Sequence, residues 1–264
     1  MSQLLRQYPD QPTDSFEDAF IQMAFERLSW AVAGCFLDES FSGVFLRDGS
    51  CVYLVTAGHA VRSDDWNDLK VISRGRPLAK ARGKFRMLAL PKEDRLDVAV
   101  LELDPEFAAW LKVCPLERQS VGSRAAKPGK SVLLIGFPQQ LASKAGSRLS
   151  VVRPAIFLAR ITKTSLRKIA QSVCLEDRPN RKVDIYLDGD PKGMNYGADP
   201  SRFNPKGLSG SPVFTIHAPP SGGLYSSDQL KLCGIQSGSL LALRLLRVVK
   251  CEYALATIDR ARAI

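Results

Sequence analysis

What most constrains this chain is a succession of short apolar runs, each closed by turn residues. From Trp30 onward come WAVAGCFL (30–37), SGVFLRD (42–48), CVYLVTA (51–57), LKVIS (69–73), KFRMLAL (84–90) and DVAVLEL (97–103). Runs of this length, rich in β-branched and aromatic residues, read as strands. Six so closely spaced suggest a small closed barrel. PEFAAWLK (105–112) reads as a short helix or loop, and KPGKS (127–131) as a turn. A second series follows: SVLLIGF (131–137), VVRPAIFLARITK (151–163), VDIYL (183–187), PVFTI (212–216), KLCGIQS (231–237) and VVKCEYALA (248–256). The sequence itself does not repeat, yet two six-strand halves would be an architectural repeat. At 264 residues the chain can bury one large all-β core or two smaller barrels.

Ahead of the strands, Asp14 and Glu17 have capping-box spacing, and Phe16, Phe20, Met23, Ala24 and Leu28 recur at helical intervals. A helix is therefore expected over 15–28, its apolar face buried against the body or a partner. The organisation read from the pattern is an extension (1–29), a first barrel (30–112) and a second barrel (113–264).

Composition excludes some classes. No run approaches 18 uncharged apolar residues, so no membrane span is expected. The first twenty residues lack a basic start followed by an apolar stretch, so no secretory signal is read and a cytoplasmic location is expected. The six cysteines (35, 51, 114, 174, 233, 251) form no C-x-x-C pair. Metal spacing is absent, and free buried thiols are expected rather than disulfides. Charge is lopsided: of a total of +10, residues 118–182 hold fourteen Lys or Arg against Glu176 and Asp177, a net +12, which leaves −2 elsewhere. Such a face attracts acidic partners, or merely aids solubility. No aromatic-interleaved RNA signature accompanies it, so nucleic acid is not expected.

The candidate chemistry lies in KGLSGSPVF (206–214). Gly207 and Gly210 permit backbone angles that a side chain forbids. The plain reading is a loop ending in a strand; the sharper one is a nucleophilic Ser209 with neighbouring N–H groups aimed at a reacting oxygen. A serine nucleophile needs a base, and the base an orienting acid. The chain has two histidines. His59 closes the strand CVYLVTAGHA, while His217 ends PVFTIH beside two prolines with no partner in view. Asp97 opens DVAVLEL and is either a strand-end residue or the acid that orients His59.

Together these stretches resemble the chymotrypsin/trypsin-like serine peptidases. TAGH is similar to the family's Thr-Ala-Ala-His, DVAVLEL to its Asp-Ile-Ala-Leu-Leu strand, and GLSGSPVF to its Gly-Asn-Ser-Gly-Gly-Pro-Val block. The order His, Asp, Ser is that of chymotrypsin. The resemblance covers about residues 30–256. It implies an all-β fold of two six-stranded antiparallel barrels with the active site between them. It also implies a peptidase acting on proteins or peptides, with no cofactor and no metal. In that template Ser209 is the nucleophile, His59 the base and Asp97 the orienting acid, with the N–H groups of Gly207 and Ser209 as oxyanion hole.

The chain departs from the family in several places. Leu208 replaces the aspartate that in secreted digestive members pairs with a freshly cut N-terminus, so activation by clipping is not expected. Ala60 replaces the cysteine after the base, and the chain looks more like intracellular bacterial members. Phe203 stands where trypsin proper holds its acid, so Lys or Arg before the cut is not expected to be preferred; small or apolar residues are. GIQSGSL (234–240) looks like the family's substrate-lining strand, which makes Gln236, Ser237, Gly238 and Ser239 substrate-binding candidates, Ser237 also helping to hold Asp97. SGSPVF resembles glutamyl endopeptidases too, but those carry a histidine where Gln236 stands.

The stretch 188–199 matches a calcium loop at Asp188, Asp190 and Gly193, but Lys192 and Asp199 break the pattern, and a turn is preferred. The long segment 188–207 is a candidate brake that a regulatory partner would order, with the 15–28 helix or the basic 118–182 face as docking element. The rival to a peptidase is an inactive module of the same fold that recruits an acidic partner or nucleic acid.

Overall fold

The computed structural model describes residues 16–61, 64–74, 76–89, 96–124, 126–139, 143–145, 148–151, 154–173, 179–180, 182–188, 192–194, 205–217 and 229–263. The first half forms one curled sheet from β1 (Val32–Phe36), β2 (Ser40–Asp48), β3 (Cys51–Thr56), β4 (Lys70–Ile72), β5 (Ala79–Lys80), β6 (Gly83–Ala89), β7 (Val98–Leu103) and β8 (Leu116–Glu117). Its order is β5-β4-β1-β2-β3-β7-β6, all antiparallel, with β8 running parallel beside β2. The second half supplies β9 (Ser131–Gly136), β10 (Ser143–Ala145), β11 (Arg148–Val151), β12 (Ala155–Arg160), β13 (Asp184–Asp188), β14 (Lys192–Met194), β15 (Pro212–Ile216), β16 (Leu230–Leu240) and β17 (Leu245–Lys250). Here the order is β13-β17-β16-β15-β9-β12-β14, and β10–β11 is a separate hairpin. The expected double antiparallel barrel is thus present, with eight and seven strands in its sheets rather than six each.

The sequence runs are apolar rather than alternating because both faces of the central strands are buried. Val132 and Leu134 of β9 point into the second half with Phe157, Leu187, Val213 and Val248. Leu133 and Ile135 point the other way, into a seam shared with Val44, Tyr53, Val55, Val98 and Val100 of the first half. Phe45, Leu54 and Leu101 fill the first half's own interior. Period-two alternation therefore sorts each strand between a half-core and the seam.

Among the described residues four α-helices accompany the strands. α1 (Phe16–Leu28) matches the expected helix, and Phe20, Ile21, Ala24 and Leu28 are buried in the seam core. α2 (Pro105–Leu111) is capped by the Asp104 carboxylate, which accepts from Phe107 N–H. Two readings are corrected. The run 151–163 is not one strand: β11 ends at Val151 and β12 begins after Pro154. α3 (Leu166–Ser172), capped by Ser165, follows it. Residues 248–256 are the end of β17 and the start of α4 (Cys251–Arg262). Cys251, Ala254, Thr257, Ile258 and Ala261 are buried at helical intervals there. α4 packs on β6, β7 and β16 and so ties the two halves together.

Among the described residues no helix is long and apolar enough to cross a membrane. Cys35, Cys233 and Cys251 are free and buried, Cys51 half-buried and Cys114 exposed. Burial pushes the Cys35 and Cys251 thiols far up, and Cys233 up to about 12. Asp190 and Asp199 of the calcium-like stretch, Cys174, Phe203 and most of 188–207 lie outside the described residues.

Candidate active site

β3 and β7 pair with Thr56 opposite Ala99. That register brings the residues just past β3 and just before β7 to one end of the sheet. A single 3-10 turn after β3 (Gly58–Val61) carries His59, and Asp97 immediately precedes β7. Both oxygens of the Asp97 carboxylate meet His59: Oδ1 accepts the backbone N–H at 2.6 Å, and Oδ2 lies 2.5 Å from Nδ1. With a carboxylate at Nδ1, the ring proton sits there and Nε2 is the acceptor. Ser209 Oγ lies 3.1 Å from Nε2. The Asp97 side chain is 10% exposed and that of His59 33%, so the acid is shielded while the ring opens to the cleft.

Ser209 stands in a tight loop ahead of β15. Gly207 and Gly210 both have φ of +86°, the left-handed region where only glycine is unstrained. A side chain on Gly207 would press on Gln139 N and Phe137 O at 2.6 Å, and one on Gly210 would overlap Ser42 O and Thr56 Oγ1. The loop's other amides are taken. Leu208 N–H donates to Pro205 O (3.0 Å), Gly210 N–H to Gln236 O (2.7 Å) and Ser211 N–H to Leu208 O (2.8 Å). The N–H groups of Gly207 and Ser209 have no acceptor among the described residues. Leu208 is fully buried in the second half's core, so apolar packing anchors the loop where an ion pair does so in the digestive peptidases.

An open cleft of about 1120 Å³ runs over this constellation. His59, Asp97, Gly207 and Ser209 line it, as do Gln236, Ser237, Gly238 and Ser239 of β16. β15 pairs with β16 only as far as Ile235, so beyond it β16 is paired, among the described residues, with β17 alone. Gln236 is 1% exposed, and its Nε2 donates to Gly238 O at 2.8 Å across the bulge. Its backbone N–H donates to Ser211 O at 2.9 Å. The expected bond from Ser237 to Asp97 is absent: Ser237 Oγ is buried without a hydrogen-bond partner among the described residues, the Asp97 oxygens being turned to His59. His217 lies at the end of β15, its Nε2 3.4 Å from Thr215 Oγ1.

Three contributors went unread in the sequence. Lys206 and Arg247 line the cleft, Arg247 Nε donating to the fully buried Asp184 at 3.0 Å. Ser42 supports the nucleophile loop from β2. A small Ser-Gly pair between Phe41 and the apolar Val44–Leu46 was the only signal for it.

No family model and no curated protein sequence matches the chain. Solved structures do match in shape. A Glu endopeptidase superposes with a TM-score of 0.56 at 13% identity, over 90% of this chain and 93% of that one. For Deg5 the values are 0.54 and 15%, over 93% and 95%. A serine endoprotease from Yersinia pestis gives 0.53 and 15% over 91% of this chain, which spans only 66% of that longer chain. Identities this low speak to the fold. With two curled antiparallel sheets, a seam between them and an open cleft above it, the chain has the chymotrypsin/trypsin-like serine peptidase fold.

Proposed function

We propose that the protein is a serine endopeptidase in which Ser209, His59 and Asp97 act as a triad. The observation that carries this reading is the unbroken line Asp97 Oδ2–His59 Nδ1 (2.5 Å) and His59 Nε2–Ser209 Oγ (3.1 Å), set beside the two open amides of Gly207 and Ser209. The fold alone would not carry it, since an inactivated scabies mite protease paralogue shares that fold at a TM-score of 0.56. In the proposed reaction Ser209 Oγ attacks a peptide carbonyl carbon while its proton passes to His59 Nε2. The carbonyl oxygen becomes an oxyanion held by the N–H groups of Gly207 and Ser209. His59 then gives the proton to the leaving amine as the C–N bond breaks, and an acyl ester remains on Ser209. Water, deprotonated by His59, releases the acid in the second half-reaction. Asp97 holds the Nδ1–H tautomer throughout.

Among the described residues the edge of β16 over Ser237–Leu240 that faces away from β17 is unpaired, which suits an extended peptide added as a further strand. Turnover of an unfolded protein substrate tests the proposal: wild type cleaves it, and Ser209→Ala does not. Equal cleavage by the two would rule Ser209 out as nucleophile. The exposed cations of the second half, among them Arg124, Lys127, Lys163 and Arg167, support a landing face for an acidic regulatory partner.

A further inference from the structure

Ser42 of β2 is fully buried, and both its hydroxyl proton and its backbone N–H are spent on the nucleophile loop. Its Oγ accepts from Phe137 N–H at 2.8 Å. The one hydroxyl proton is donated to Gly207 O at 2.7 Å. Its backbone N–H donates to Ser209 O at 2.7 Å, and its carbonyl accepts from Thr56 Oγ1 at 2.6 Å. One residue of the first sheet thus grips the peptides on the C-terminal side of both Gly207 and Ser209, the two residues whose amides stand open.

Gly207, like Gly210, has more rotational freedom than the other residues of this loop, because no Cβ restricts its φ and ψ. Its N–H lies in the planar peptide that carries Lys206 O, and the angle φ at Gly207 ties that unit to the next one, which carries Gly207 O. The preceding unit is held through Lys206 O, which accepts from Gln139 N–H at 2.9 Å. The following unit is held through Gly207 O by the Ser42 hydroxyl alone among the described residues. With both carbonyls pinned, φ of +86° is fixed and the N–H cannot swing away. Without the hydroxyl, the second pin is lost and Phe137 N–H is left unpaired in a site with no access to water.

We infer that Ser42 is a positioning residue that sets the direction of the Gly207 N–H, and so the depth of the oxyanion site, from across the seam between the two halves. The inference rests on the serine-peptidase reading above. Hydroxyl removal should therefore act on the transition state. Losing an oxyanion donor outright costs about 10²–10³ in turnover, so misdirecting one is expected to cost ~10–100-fold.

The test compares wild type with Ser42→Ala and the conservative Ser42→Cys, at a temperature where each variant is folded by circular dichroism. Ser42→Ala should lose ~10–100-fold in kcat with KM within about three-fold. Its affinity for a peptide boronic acid, which forms a tetrahedral adduct on the serine, should fall in parallel. Its affinity for a cleaved product peptide should not. Ser42→Cys, which keeps a weak donor of similar shape, should fall between the two, and it serves as the variant of record if Ser42→Ala does not fold. In an amide NMR spectrum the Gly207 resonance should shift or broaden in the variants. A purely structural Ser42 would lower Tm and leave kcat, boronate affinity and the Gly207 amide in place, which would overturn the inference while the peptidase reading stood. A wild-type chain that neither turns over substrate nor forms the boronate adduct would instead overturn the peptidase reading, and this inference with it.

Discussion

Ser209 lies 3.1 Å from one histidine, and that histidine lies 2.5 Å from one carboxylate, so each residue of the line has a distinct mutational signature. Ser209→Ala and His59→Ala should each abolish turnover, because the two act as one unit. Asp97→Asn should lower kcat by ~10⁴, since an amide at Nδ1 favours the wrong ring tautomer. All three should unfold within a few degrees of wild type in a thermal scan; a collapse of the fold would make Asp97 structural. Gly210→Ala is the contrasting case. The added methyl meets Ser42 O at a positive φ, so the variant should be destabilised by more than ~2 kcal/mol or fail to fold. His59, Asp97, Ser209 and both glycines were legible in the sequence because their motifs are local. Ser42 was not, because its partners Gly207 and Phe137 lie 165 and 95 residues away. The lost Ser237–Asp97 bond shows the converse: a family motif predicted a side-chain contact that depends on a rotamer, and the Asp97 oxygens were already turned to His59.

At the scale of elements, α4 is the clasp between the halves. Asp48 of β2 accepts from Arg118 Nη1 at 3.0 Å and from Arg262 Nη1 at 2.6 Å, and Arg118 is bidentate to Asp259 at 2.7 and 2.9 Å. Arg118→Ala should lower stability by ~1–2 kcal/mol in urea unfolding, the exposed half of the network being screened by solvent. No change would mean that the clasp is apolar only. The Arg118 hydrogen bond holds the Asp259 carboxyl below its ordinary range. Burial pushes Glu252 up, but its hydrogen bonds to Ser123 outweigh that and leave it lowered. A lowered folded-state pKa gives stability that is complete above the ordinary carboxylate range and is lost as pH falls through and below it. Both groups are largely exposed, so the loss should be under ~1 kcal/mol each. Thermal midpoints of Glu252→Gln should therefore fall less steeply than wild type between about pH 5 and pH 3. The helix itself was misread from the sequence: VVKCEYALA passes from strand to helix with no glycine or proline to mark the change, and its β-branched start masked the helical spacing of Cys251, Ala254 and Ile258.

At the scale of the whole molecule, the seam core decides what the N-terminal helix does. Phe20, Ile21, Ala24 and Leu28 are buried in the same cluster as residues of both sheets. Arg74 reaches back to Glu26 O at 2.8 Å and Ser29 Oγ at 2.9 Å. A chain starting at Ser29 would lose several buried side chains worth ~1.5–3 kcal/mol each, so it should be insoluble or unfolded rather than activated. A soluble truncated chain of higher turnover would instead make α1 a brake. The two-half plan was legible because strands buried on both faces read as continuous apolar runs. Strand counts were not, since β5, β8 and β14 are two or three residues long and owe their existence to the partners they pair with. The cleft spans both halves, and among the described residues no carboxylate of the second half lines it, Asp184 being fully buried and paired with Arg247. A peptide-library profile should therefore not be dominated by cleavage after Lys or Arg.

Ser209, alone among the chain's serines, is expected to be made nucleophilic by His59 and Asp97. The most direct measurement is reaction of the folded protein with a fluorophosphonate probe, followed by peptide mass mapping. One phosphonyl group per chain is expected, on Ser209, formed in wild type and absent from His59→Ala and from protein denatured beforehand. A folded wild-type chain that takes up no probe, or takes it up at another residue, would contradict it.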